Sequence, residues 1–335
     1  MKPIIDEFSK LVDCEIDAIL HSQDSQLYKI MSYHIGTPTK QDDSIKHVRK
    51  QRIHGSLCLL SCRTLGGNID LALPNAASIE LLTNFCQIHD DVQSGNPQRD
   101  NQDAVWWLWG PAQAINAGDG MHALARLSMF RLANLNMSSD KIFQAIQLFD
   151  EASLKTCEGR FLELEAQEHL SISVESYLST AKMKTGSLFE CAMKLGALVA
   201  SDNRKAIDSM GTIGSELGVA MQINAELREL WGPHPDNQPI SPEVMNKTKM
   251  LPVVYALQKA SLSEKRKIGD IYFKRVLEPK DVASLLAILE ELDVKNDCEE
   301  IIKTKKSECL SELEAHGLLP ESKNELTHMI NFLLE

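Results

Sequence analysis

The segment Asn84-Phe85-Cys86-Gln87-Ile88-His89-Asp90-Asp91-Val92-Gln93-Ser94-Gly95-Asn96 ends an apolar run with two adjacent carboxylates. At a helix C-terminus such a pair is electrostatically poor, because the backbone dipole is negative there. One account is a solvated helix end with no further role. The other is Mg2+ ligation by Asp90 and Asp91, since hard cations take carboxylate oxygens and share their remaining positions with water and substrate phosphate. The pair alone does not decide between them. Just beyond lie Arg99 and the stretch Trp106-Trp107-Leu108-Trp109-Gly110-Pro111-Ala112-Gln113-Ala114-Ile115-Asn116-Ala117-Gly118-Asp119-Gly120.

Helices must position these residues. Apolar side chains recur at helical spacing over about 5–31, 47–64, 76–89, 103–133, 139–157, 174–200, 204–230, 247–260, 263–273, 280–292 and 296–316, with a short last helix. Ser139-Asp140 and Ser201-Asp202-Asn203 supply start signals, and Gly66-Gly67, Gly95-Asn96-Pro97 and the stretch 232–239 supply breaks. No strand pattern exceeds chance. With 335 residues, 43% of them hydrophobic, and only 17 Gly and 12 Pro, the chain is predicted to be all-α, one large helical bundle over 1–335 with a central cavity. A net charge of −12 argues against nucleic-acid binding. No window reaches the roughly 18 apolar residues of a transmembrane span. The eight scattered cysteines suggest reduced core thiols, so a cytoplasmic protein is expected.

The segment from His89 through Gly120 resembles the trans-isoprenyl diphosphate synthases, the family of farnesyl and geranylgeranyl diphosphate synthases. The resemblance is strongest over 45–260, with 264–335 as covering helices. Lys184-Thr185 resembles the family's lysine–threonine motif, whose lysine touches the allylic diphosphate. Gly159-Arg160-Phe161-Leu162-Glu163 stands where the family has a GQ…D segment, and Gly218 to Gly232 stands at its second aspartate-rich motif. Lys247-Thr248-Lys249 resembles a lysine-bearing segment that opens the next helix. The resemblance implies a catalytic and metal-ligating set of Asp90, Asp91, Glu226 and Glu229, holding Mg2+ or Mn2+ on facing helices. It implies diphosphate contacts from Arg99, Lys184, Lys247, Gln222, Arg228 and Arg52, and a pocket lined by Phe85, Cys86 and Thr185. The implied substrate is an allylic prenyl diphosphate: geranyl, farnesyl or geranylgeranyl. The implied assembly is a homodimer, or a heterodimer with an active synthase.

The departures from the family pattern shape the functional reading. Where the family holds isopentenyl diphosphate with a GKRxRP-like segment, this chain has Lys50-Gln51-Arg52-Ile53-His54-Gly55, keeping only Arg52. Asp100 replaces a second arginine after the first acidic motif, a change of two charge units. At 4 Å and an effective dielectric near 20, each unit is worth up to about 4 kcal/mol before screening. Ser94 and Asn96 stand where a third acid belongs, Ala225-Glu226-Leu227-Arg228-Glu229 replaces DDxxD, and Gln238 replaces a lysine. Glu226 and Glu229, three apart, share a helix face. These losses favour a terpene-synthase-type enzyme, which needs only one diphosphate site. The alternatives are a chain-elongating trans-prenyltransferase, in which Arg52, His54 and neighbouring lysines substitute at the altered site and His54 helps only when protonated, and a non-catalytic subunit.

Overall fold

The computed structural model describes residues 1–36, 50–169, 171–232, 242–315 and 320–335. It is 83% helical. The helices are α1 (Lys2–Leu20), α2 (Gln26–Ile35), α3 (Ile53–Thr64), α4 (Leu73–Ser94), α5 (Val105–Trp109), α6 (Pro111–Met129), α7 (Ser139–Gln167), α8 (Val174–Ala181), α9 (Ser187–Ala200), α10 (Arg204–Trp231), α11 (Pro242–Met245), α12 (Leu251–Lys259), α13 (Leu262–Tyr272), α14 (Pro279–Glu291), α15 (Val294–Ala315) and α16 (Pro320–Leu334). Helix α4 lies against α3, α6 and α9, and α10 lies against α9 and α15. Buried residues occur all around α3, from Gly55 to Cys62, and along α9, from Ser187 to Leu198, as expected of helices enclosed by others. The main core joins α1 to α7, α9 and α10 with the ends of α15 and α16. A second apolar cluster lies beneath α12 to α14. Among the described residues, no helix is long and apolar enough to cross a membrane.

Local chemistry explains several helix ends. Ser138 caps α7, Asn203 caps α10, and Ser261 forms a reciprocal capping box with Glu264 at α13. Gly95 ends α4 in the left-handed conformation, φ 64°. Close approach depends on missing side chains: a Cβ at Gly196 would sit 1.9 Å from the Cys58 carbonyl oxygen, so α9 can cross α3 at this separation only without one.

Four expectations change. The helix predicted over 5–31 is two helices, broken before Ser25, and the one over 103–133 divides at Gly110, φ 81°. The helix over 174–200 is interrupted by a π-helical turn, Lys182–Gly186. A two-residue hairpin, β1 (Gln98–Arg99) with β2 (Gln102–Asp103), follows α4 where no strand was expected. Its turn residues Asp100 and Asn101 have φ of 54° and 60°, the left-handed pair of a tight hairpin, for which Asp and Asn are suited. Gln238 and the first residues of the helix predicted over 47–64 lie outside the described residues.

Candidate functional site

The C-terminal turn of α4 carries both acids of the first motif, and each faces an arginine. Asp91 is buried. Arg99 donates from Nε to both of its oxygens at 3.0 Å and from Nη2 to Oδ1 at 2.7 Å. Burial opposes the Arg99 charge, but Asp91 outweighs it and holds the guanidinium pKa above its ordinary value. The hairpin turn at Asp100-Asn101 thus brings Arg99 back onto the helix that precedes it. Asp90 forms an ion pair with Arg160, Oδ1 to Nε 3.0 Å. Ser94, in the place of a third acid, spends its hydroxyl on the Asp90 carbonyl at 2.6 Å.

Helix α7 and the π-turn complete this side. Arg160 donates from Nε to Gln93 at 2.8 Å and from Nη1 to Glu163, while Lys184 Nζ reaches both Glu163 oxygens at 2.9 Å. Burial pushes the Glu163 carboxyl up, yet Lys184 and Arg160 outweigh it and hold its pKa below the ordinary carboxylate value. Lys184 in turn is held above its ordinary value by Glu163 and Asp90 against the cost of burial. Gly159 permits the contact: a Cβ there would sit 2.4 Å from the Lys184 backbone nitrogen. Cys86 lies on this face, its thiol pushed up by burial and by Asp90. Phe85, one position earlier, packs against His89 and His122, with ring centroids 4.6 and 5.1 Å away.

The second motif is arranged differently. Glu226 accepts from Tyr177 Oη at 2.6 Å, from Gln222 Nε2 at 3.3 Å and from the Leu251 amide at 2.7 Å, at the N-terminus of α12. Burial still wins over these donors and raises its pKa to about 7. Thr185 donates to Gln222, tying the π-turn to α10. Glu229 is half-buried and Arg228 exposed, the latter lining an outer cavity of about 410 Å³ with Trp231, Lys295, Lys303 and Lys306. Lys247, φ 59°, donates to the Lys274 carbonyl. Its neighbour Lys249 is buried over the Tyr272 ring at 4.2 Å, and burial lowers its pKa to about 8.

At the altered second-diphosphate segment, Lys50, Gln51, Arg52, Glu80, Asn84, Gln87 and Asp100 line a cavity of about 370 Å³. Its cations are engaged. Lys50 pairs with Asp100 at 3.1 Å, and Arg52 donates to Asp13 and to the Ile35 carbonyl, both at 2.7 Å. His54 packs edge-on to Phe189, centroids 4.4 Å apart, and burial lowers its pKa to about 4. It is neutral at physiological pH, so the protonated histidine that would compensate at this site does not form.

The four acids Asp90, Asp91, Glu226 and Glu229 therefore do not make one metal cage. Among the described residues, no three His, Cys, Asp or Glu side chains cluster in a way that could hold an ion. Asp91 is spent on Arg99, Asp90 is shared with Arg160, Glu226 is capped by its three donors, and Ser94 and Ala225 offer no carboxylate. As the side chains stand, this donor set is engaged by arginines and hydrogen-bond donors rather than arranged as the paired carboxylates implied for Mg2+ or Mn2+. Arg160, Glu163 and Tyr177 are the cluster members not anticipated as site residues. The three-residue spacing of Arg160 and Glu163 on one helix was a readable signal. Nothing local marked Tyr177.

Comparison with known proteins identifies the fold and the family. Residues 43–289 match the polyprenyl synthetase family model. The chain is 28% identical over 314 residues to the geranylfarnesyl diphosphate synthase of Aeropyrum pernix, covering 91% of this chain and 97% of that one. It is 30% identical over 243 residues to the geranylgeranyl diphosphate synthase of Mycobacterium tuberculosis (strain ATCC 25618 / H37Rv), covering 72% and 68%. The polyprenyl synthetase of Streptomyces coelicolor A3(2) superposes with a TM-score of 0.88 at 24% identity, covering 100% and 99%. Two further structures of this fold were solved with isoprenyl diphosphate and either calcium or magnesium. The cluster of Asp90, Arg160, Glu163 and Lys184, the all-helical frame around it and the match over 43–289 lead to one conclusion: the chain belongs to the polyprenyl synthetase family.

Proposed function

We propose that the protein is a chain-elongating trans-prenyltransferase, binding an allylic prenyl diphosphate in the cleft between α4, α7 and the π-turn. The carrying observation is the convergence of Arg99, Arg160 and Lys184 on the end of α4 and on Glu163. The terpene-synthase-type reading finds no support among the relatives, which are named as prenyl diphosphate synthases. In this reaction the allylic carbon–oxygen bond breaks, diphosphate leaves, and the alkene of isopentenyl diphosphate forms the new carbon–carbon bond and loses a proton. Fixed positive charge beside the leaving oxygens stabilises what develops in the transition state. Lys184 and Arg160 supply it, with Thr185 and Gln222 holding the π-turn against α10. No step is assigned to a metal ion, since Asp90 and Asp91 are engaged by arginines.

Lys50 and Arg52, in the 370 Å³ cavity, are the groups proposed to face isopentenyl diphosphate. For that, Lys50 must exchange Asp100 for the substrate. The protein is proposed to be cytoplasmic and to act as a homodimer. Incubation of the full chain with geranyl, farnesyl or geranylgeranyl diphosphate and labelled isopentenyl diphosphate, with and without Mg2+, should give a longer labelled prenyl diphosphate. Absence of incorporation from every primer would reject elongation. A specific observation favours a second reading, a non-catalytic subunit of an active synthase: both first-motif acids are occupied by arginines. A heterodimer on co-expression with a catalytically competent relative, with no incorporation by the chain alone, would select it.

A further inference from the structure

We propose that the Arg160 guanidinium takes the place of a divalent cation between Asp90 and Glu163, so that the cleft binds a diphosphate group without added metal. The inference rests on the reading that this cleft is where the diphosphate docks. Arg160 sits 3.0 Å from Asp90 and 2.8 Å from Gln93, donates to Glu163, and its side chain is 14% exposed. It bridges acids on two helices, α4 and α7, as a shared ion would. The acids beside it are already paired: Asp91 with Arg99, Asp90 with Arg160, and Glu163 with Arg160 and Lys184. A cleft of carboxylates alone repels a diphosphate until metal ions enter. Here each of these three acids is paired before any ion arrives, and a metal at Asp90 would have to displace a guanidinium.

The donors left over suit an anion. A guanidinium carries five N–H groups in a fixed fork that matches phosphate oxygens. The Nε–H and one Nη1–H are used, and Nη2 has no partner among the described residues. Lys184 adds a third rotatable N–H beyond the two aimed at Glu163. Two cations on adjoining elements, part of whose N–H groups are occupied by the same carboxylate, keep the rest for one phosphate.

Calorimetric titration of the full chain with inorganic pyrophosphate, in EDTA and again in Mg2+, tests this. Saturable binding in EDTA is expected, at least tenfold weaker in R160Q, with Mg2+ restoring the variant's binding. E163Q frees both cations and should bind pyrophosphate more tightly in EDTA, a gain that misfolding does not produce. Wild-type binding that appears only with Mg2+, or R160Q binding as well as wild type in EDTA, would overturn the proposal. Should R160Q fail to fold, unchanged or weaker binding by E163Q does the same. Prenyl-transfer activity is not the readout, so failure here and failure of the elongation reading are separate results.

Discussion

Buried titratable groups give the molecule two opposed pH responses. Glu80 lies in the core, accepting from the Gly55 amide at 2.8 Å, and burial raises its pKa from 4.5 to about 7. Between those values the folded chain binds more protons at Glu80 than the unfolded chain does, so this group's contribution to stability falls as pH rises. His54 has the opposite sign. Burial lowers its pKa from 6.5 to about 4, so the unfolded chain binds more protons in between, and stability rises with pH. Replacing Glu80 by Gln keeps an acceptor for Gly55 and removes only the falling component. The stability of E80Q relative to wild type should therefore improve from pH 4.5 to 7, by no more than about 1.4 kcal/mol per pH unit, and level off above. Urea denaturation at several pH values measures it, and a constant difference would show that Glu80 is not buried as described. At this scale the sequence marked Asp90 and Asp91 as adjacent acids at a helix end, and Lys184 by resemblance to a family motif. It did not mark which charges pair, because Arg99–Asp91 depends on a hairpin turn and Arg160–Asp90 on two helices distant in the chain.

At the scale of elements, α4 and α10 were legible as long, largely apolar helices with polar residues at their ends. Capping residues located the starts of α7 and α10 to within a residue or so. Interruptions were less legible. The π-turn at Lys182–Gly186 has no Pro, and its single Gly is a weak breaker signal; it is fixed by packing against Gly159 of α7 and Ser215 of α10. That turn is what directs Lys184 toward Glu163. Gly159→Ala would place a methyl group 2.4 Å from the Lys184 amide nitrogen, with backbone rather than a flexible side chain in the way. A loss of about 1–3 kcal/mol in unfolding free energy is expected, read from the denaturant midpoint. An unchanged midpoint would mean that α7 and the π-turn do not approach this closely.

For the whole molecule, composition gave an all-helical chain and the ordered motifs gave its family, while the assembly depends on surface that only the fold displays. Phe143, Leu154 and Phe161 on α7 are 68%, 62% and 65% exposed, and their spacings of eleven and seven residues return them to one helix face. Leu127 and Phe130, at the end of α6 and just after it, are 61% and 52% exposed. Exposed apolar area of this kind marks an interaction surface, and a second copy is the proposed occupant. Sedimentation should show a dimer for the wild-type chain and a monomer for the F143E/L154E double variant. A wild-type monomer would contradict the proposed assembly.

The central claim is that the cleft beneath α4, α7 and the π-turn holds the diphosphate of an allylic ester. Calorimetric titration of the full chain with farnesyl thiodiphosphate, which resists ionisation, tests it without requiring turnover. The account predicts saturable binding at one site per chain, weakened at least tenfold in Lys184→Ala. Absence of binding, or equal binding by that variant, would contradict it.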